Sequence, residues 1–95
     1  MQSKIERAIR KKLKVEFQYG SAKRECNPHV LGMQNKNLMV LCWQTGGRST
    51  SGSLPDWRLF KLSEISRLKV LEDKFTPTRS GGRTYKWESV LASVT

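Results

Sequence analysis

The 95-residue sequence predicts an α+β fold, with one N-terminal helix followed by five to six short strands curled into a small barrel. Three observations carry that expectation. Apolar residues recur at helical spacing near the start, alternate with polar ones from Val15, and then fall into short runs separated by turn signals. A chain this short holds a single modest core. The expected organisation is one domain over residues 1–77 (helix 3–13, barrel 14–75) and a flexible tail over 78–95.

Ser3 is placed to cap the helix by accepting a hydrogen bond from an otherwise unpaired backbone N–H. Ile5, Ala8, Ile9 and Leu13 then form one apolar face, and Lys4, Arg7, Lys11 and Lys14 fall together as a basic stripe. Lys12 intrudes on the apolar side, where the helix is expected to fray or the lysine stem to snorkel. Glu6 and Arg10, four apart, are spaced to pair.

From Val15 the period changes to two, with Val15, Phe17 and Tyr19 on one face of a strand. Gly20-Ser21-Ala22-Lys23 reads as a turn, and Arg24 to Cys26 as the returning strand. Pro28 lacks an N–H, so it marks a bend or an edge before a separate extended piece from His29 to Gln34. Asn35-Lys36-Asn37 reads as a tight hairpin turn. Leu38 to Trp43 is the most apolar run and too short for a helix, hence a central strand buried on both faces. A polar Gly/Ser loop follows, then a strand at Trp57–Lys61, a helical turn at 62–65 and a strand from about Arg67 to Leu71. Trp87, Leu91 and Val94 lie at helical spacing, so the tail is read either as a short docking helix or as weakly ordered chain. A twisted sheet this small tends to curl into a barrel of the SH3 or Sm type, which removes exposed edges.

The net charge of +10 points to a polyanionic partner or to simple solubility. No apolar run approaches the length of a membrane span, and the first residues do not resemble a signal peptide, so a cytoplasmic location is expected. Cys26 and Cys42 with the single His29 are too few for a structural zinc site; two buried thiols and no cofactor are expected. The acids are scattered and no nucleophile constellation accompanies His29, so no active site is expected.

Taken in order, several segments resemble the WYL domain family. Ile5-Glu6-Arg7-Ala8-Ile9 with Val15-Glu16-Phe17-Gln18-Tyr19 is similar to its leading helix and first strand. Arg24 through Leu31 resembles its segment in which an arginine precedes a proline by four. Arg58-Leu59-Phe60-Lys61-Leu62-Ser63-Glu64-Ile65 is similar to its Arg-x-Phe-Arg-Leu-Asp-x-Ile block, and Phe75 to its closing phenylalanine. Leu38-Met39-Val40 stands where the name-giving Trp-Tyr-Leu triplet belongs, and Lys61 replaces the second arginine of the later block. The resemblance, over about Ile5 to Phe75, implies an SH3- or Sm-like barrel. It further implies a non-catalytic, ligand-sensing role in bacterial transcription regulation, with nucleic acid or another anion held in a basic groove.

Arg24, Arg58 and Lys61 are accordingly the expected anion contacts, since charge-assisted bonds to phosphate are stronger than neutral ones. Tyr19 and Trp43 are the candidate stacking platforms for bases, each also readable as plain core. His29 is read as structural or as a contact at the pocket rim. Lys4, Arg7, Lys11 and Lys14 are candidate phosphate-backbone contacts, and Arg48 in the Gly/Ser loop a candidate lid. The expected partner is single-stranded nucleic acid or an anionic small ligand, together with a regulatory protein, and not a membrane. The alternative is a protein-interaction or dimerisation module whose charge serves solubility, with the tail around Trp87 and Leu91 as its interface.

Overall fold

The structure, a computed structural model, describes residues 1–47, 53–78 and 85–94. Helix α1 (Gln2–Lys11) leads into β1 (Leu13–Tyr19), β2 (Ala22–Gln34), β3 (Asn37–Gly47) and β4 (Asp56–Lys61). A 3-10 turn at Leu62–Glu64 then connects to β5 (Ile65–Lys74), and β6 (Ser89–Ser93) follows. The strands form one antiparallel sheet in the order β4-β3-β2-β1-β5, with β6 added on β2. β4 and β5 end this path without pairing to each other, so the sheet is not closed.

The helix differs from expectation at both ends. Met1, not Ser3, is the N-cap, and no side chain caps the first turn. At the other end Lys12 adopts the left-handed conformation (φ 56°) and its N–H bonds back to the last turn, which stops the helix two residues early. Lys14 therefore leaves the basic stripe and begins β1. Ile5, Ala8 and Ile9 are fully buried, and Arg10 pairs with Glu6 at 3.1 Å, as their spacings predict.

β2 is the organising element. Arg24–Cys26 and His29–Gln34 are not separate strands but parts of one 13-residue strand. It continues through Pro28 because the register with β3 shifts between Pro28 and Val30, so the missing N–H falls at an irregularity. The first half of β2 pairs with β1 and the second half with β6. The hairpin to β3 turns on Asn35 and Lys36 at φ 50° and 64°, the left-handed geometry that two-residue hairpin loops favour. Val40, Leu41 and Cys42 are buried in succession, which makes β3 the two-sided central strand read from its apolar run.

The tail is strand, not helix. Val30–Met33 on β2 leave an edge open past the end of β1, and β6 fills it opposite them. Glu88 N donates to Met33 O (2.8 Å) and Val94 N to His29 O (3.0 Å), fixing both ends of the added segment. Gly32 permits this approach. A Cβ there would meet Ser89 O at 2.5 Å and the Trp87 ring at 2.7 Å. Gly32→Val is expected to release β6, costing about 1–3 kcal/mol as overpacking does. Hydrogen exchange reads it: amides of Ser89–Ser93 should lose protection while β1 keeps its own, and retained protection in β6 would refute this packing.

The core lies between α1 and one face of the sheet. Ile5, Ala8 and Ile9 pack against Val15, Phe17, Cys26, Leu31, Val40, Cys42, Phe60, Ile65 and Ala92. Burying each large side chain contributes roughly 1.5–3 kcal/mol. Both cysteines are free and buried within this core. Burial, reinforced by a hydrogen bond to Cys26, pushes the Cys42 thiol well above its ordinary pKa, which keeps it protonated and unreactive.

Candidate anion site

Phe17 and Arg24 are cross-strand partners, so Arg24 points to the core face of the sheet. Its neighbours there are aromatic. The guanidinium carbon lies 5.9 Å from the Tyr19 ring centre and 5.8 Å from that of Phe60. Phe60 in turn packs edge-on against Phe17 (5.0 Å) and Tyr19 (4.8 Å). Arg24 is only 7 % exposed, and its Nε is fully covered with no hydrogen-bond partner. Four ion pairs join described residues, and Arg24 is in none of them. A buried charge is ordinarily paired, because leaving water costs several kcal/mol. Ring faces offset part of that cost, on the order of 0.5–2 kcal/mol.

Tyr19 connects this centre to Lys61. The Lys61 backbone N–H donates to Tyr19 Oη at 3.2 Å. Lys61 also lines an open pocket of about 470 Å³. Three expected site residues, Tyr19, Arg24 and Lys61, are thus contiguous, although Lys61 falls on the opposite face of β4 from Phe60. Phe60 is a wall of this site that sequence reading missed. Strand alternation sets it on the same face as Arg58 and was the available signal.

Arg58 is already neutralised. Its Nη1 lies 3.0 Å from Asp56 Oδ2 and also donates to Trp57 O at 3.1 Å. An incoming ligand at Arg58 competes with a carboxylate already in place.

His29 and Trp43 belong to a second aromatic cluster. The His29 ring packs against Trp57 (4.8 Å) and Phe75 (5.2 Å), and Trp43 against Trp57 (5.1 Å). Trp43 and Trp57 are cross-strand partners that alternate with Cys42 and Arg58, so they occupy the sheet face turned away from Arg24. A single bound strand therefore does not stack on Trp43 while its phosphate meets Arg24 from the core side. His29 is 4 % exposed, which makes it structural and not a rim contact.

Both nitrogens of His29 are engaged. Nε2 accepts from Thr78 N (2.9 Å), which places the proton on Nδ1, donating to Asn27 O (2.7 Å). Burial lowers the His29 pKa below its ordinary value of about 6.5; the Asn27 bond opposes this more weakly. A depressed folded-state pKa means that the unfolded chain binds the proton more tightly. The stability contributed by neutral His29 is therefore complete above about pH 6.5. It is lost as pH falls from there through the lower folded value. Urea unfolding at pH 7.5, 6.5 and 5.5 should show this decline, and His29→Gln should flatten it; equal slopes in both proteins would refute the assignment.

Lys4, Arg7 and Lys11 are exposed on α1, and none forms a hydrogen bond or ion pair with Tyr19, Arg24 or Lys61. Lys14 donates to Asn27 Oδ1 at 3.2 Å. Arg48 lies outside the described residues. No group of three His, Cys, Asp or Glu side chains among the described residues is placed to hold a metal ion. No helix among them is long and apolar enough to cross a membrane.

No family model, no curated protein and no solved structure matches the chain.

Proposed function

We propose that the chain is a non-catalytic regulatory module that senses an anion, either single-stranded nucleic acid or a phosphorylated small ligand, through the basic centre at Arg24. The observation that carries this reading is Arg24, a largely buried arginine that joins no ion pair among the described residues and whose covered Nε has no acceptor. Arg58 has Asp56 and Lys61 has Glu64, whereas Arg24 lies against ring faces. Unsatisfied buried groups persist where function requires them, and an anion supplies the acceptor that Nε lacks. The WYL-like order of segments supports the same reading. That resemblance implies an SH3- or Sm-like barrel behind a leading helix; the strands here follow such a helix as one open antiparallel sheet.

Fluorescence anisotropy across a salt series tests it, with labelled single-stranded DNA, single-stranded RNA and duplex DNA, and inorganic phosphate as competitor. Arg24→Met is the informative variant, because a glutamate would bury a carboxylate in the same apolar setting. Binding that weakens linearly in log salt, prefers single strands or yields to phosphate, and is lost in Arg24→Met supports the proposal. Equal, low-salt binding of every polymer by wild type and variant alike would mean that the +10 charge is merely adhesive.

A further inference from the structure

The open pocket of about 470 Å³ lies where α1 and β3 begin and where the 3-10 turn joins β4 to β5, with Met1 and Gln2 on one side. Leu38, Leu62 and Ile65 give it apolar walls, and Lys36, Lys61 and Ser63 give it polar ones. No acidic side chain lines it. The backbone of Lys36 is fixed by the left-handed turn and by its N–H bond to Glu88 Oε1 (3.1 Å). Its side chain has no acidic partner among the described residues. Lys61 Nζ lies 3.6 Å from Glu64, a solvent-exposed contact that a better-placed anion displaces.

We infer that this cavity binds an organic phosphate monoester, its phosphate held by Lys36 and Lys61 and its apolar body against Leu38, Leu62 and Ile65. The inference goes beyond the anion-sensing proposal, because Arg24 does not line this cavity. Lysine ammonium groups with no acidic side chain in the lining favour the multiply charged monoester, between −1.5 and −2 at neutral pH. The volume falls within the roughly 300–1,000 Å³ common for small-molecule sites, and apolar walls with a few polar groups are their usual lining. A nucleic-acid strand fits less well. No aromatic side chain lines the cavity to stack a base, and Trp43 is packed into the His29–Trp57 cluster instead. Through the Lys61 N–H to Tyr19 Oη bond, the occupied cavity is one hydrogen bond from the ring that faces Arg24.

Amide and side-chain NMR titrations of the full chain distinguish the outcomes, using phenyl phosphate, inorganic phosphate and a ten-residue oligothymidylate as probes. Phenyl phosphate should shift Lys36, Leu38, Lys61 and Leu62, bind at least tenfold more tightly than inorganic phosphate, and weaken at least tenfold in Lys36→Met and in Lys61→Met. Both lysines are at the surface, so these variants keep the fold, which their unshifted core resonances verify. Equal affinity for the two phosphates overturns the inference. Oligothymidylate shifts around Arg24, with none from phenyl phosphate at the cavity, overturn the inference and leave the anion-sensing proposal standing. No shift from any probe overturns both.

Discussion

Arg24→Met should raise the folding stability by about 1–3 kcal/mol, the order of the cost of leaving a buried polar group without a partner. The sign follows from the balance at this position. The charged form loses hydration, gains no carboxylate, and leaves Nε without an acceptor. Contact with the Tyr19 and Phe60 faces returns only about 0.5–2 kcal/mol. Methionine keeps the length, fills the same space and makes its own contacts with aromatic rings. Urea denaturation at pH 7.5 measures the difference, and anisotropy on the same samples measures binding. A more stable protein that no longer binds anions would mark Arg24 as a functional residue retained against stability. A less stable one would show that the guanidinium is held for packing, and the proposed function would lose its principal support.

Much of the fold was legible because local periodicity and tertiary burial agree. The Ile5/Ala8/Ile9 stripe, the alternation through Phe17, the Asn35-Lys36 turn and the buried run at Val40–Cys42 each state a local preference that packing then satisfies. Where the two diverge, sequence reading failed. Pro28 looks like a strand break, but a register shift against β3 absorbs it, and that shift depends on residues more than a dozen positions away. Trp87, Leu91 and Val94 are spaced as a helix. The free edge of β2, nearly sixty residues earlier, instead captures the segment as a strand, leaving Val90 and Leu91 exposed. Tertiary hydrogen bonding outweighed a weak local pattern.

The site shows the same division. Arg24, Tyr19 and Lys61 were grouped in the sequence through the family resemblance, and the fold brings them together by the β1–β2 pairing and the Lys61 N–H to Tyr19 Oη bond. His29 and Trp43 were not separable from that group by sequence. Only the sheet register reveals that Trp43 alternates to the other face, with His29 drawn to it through Trp57. Lys36 was read as part of a turn and nothing more. What makes it a candidate ligand is the cavity that folding assembles beside it.

Phe60→Ala should be the most damaging single change, lowering stability by about 3–5 kcal/mol. Phe60 is 2 % exposed and touches the Phe17 and Tyr19 rings as well as the Arg24 guanidinium. Its removal leaves a cavity and deprives the buried charge of one of its two ring faces. The second effect separates from the first in a double-mutant cycle with Arg24→Met. If the ring stabilises the cation, Phe60→Leu should cost about 0.5–2 kcal/mol more in wild type than in the Arg24→Met background, because with methionine only packing is lost. Chemical denaturation of the four proteins at one pH gives the coupling directly. An additive cycle would mean that Arg24 and Phe60 merely share the core. The guanidinium would then draw nothing from the rings, and the need for an external anion to neutralise it would be correspondingly greater.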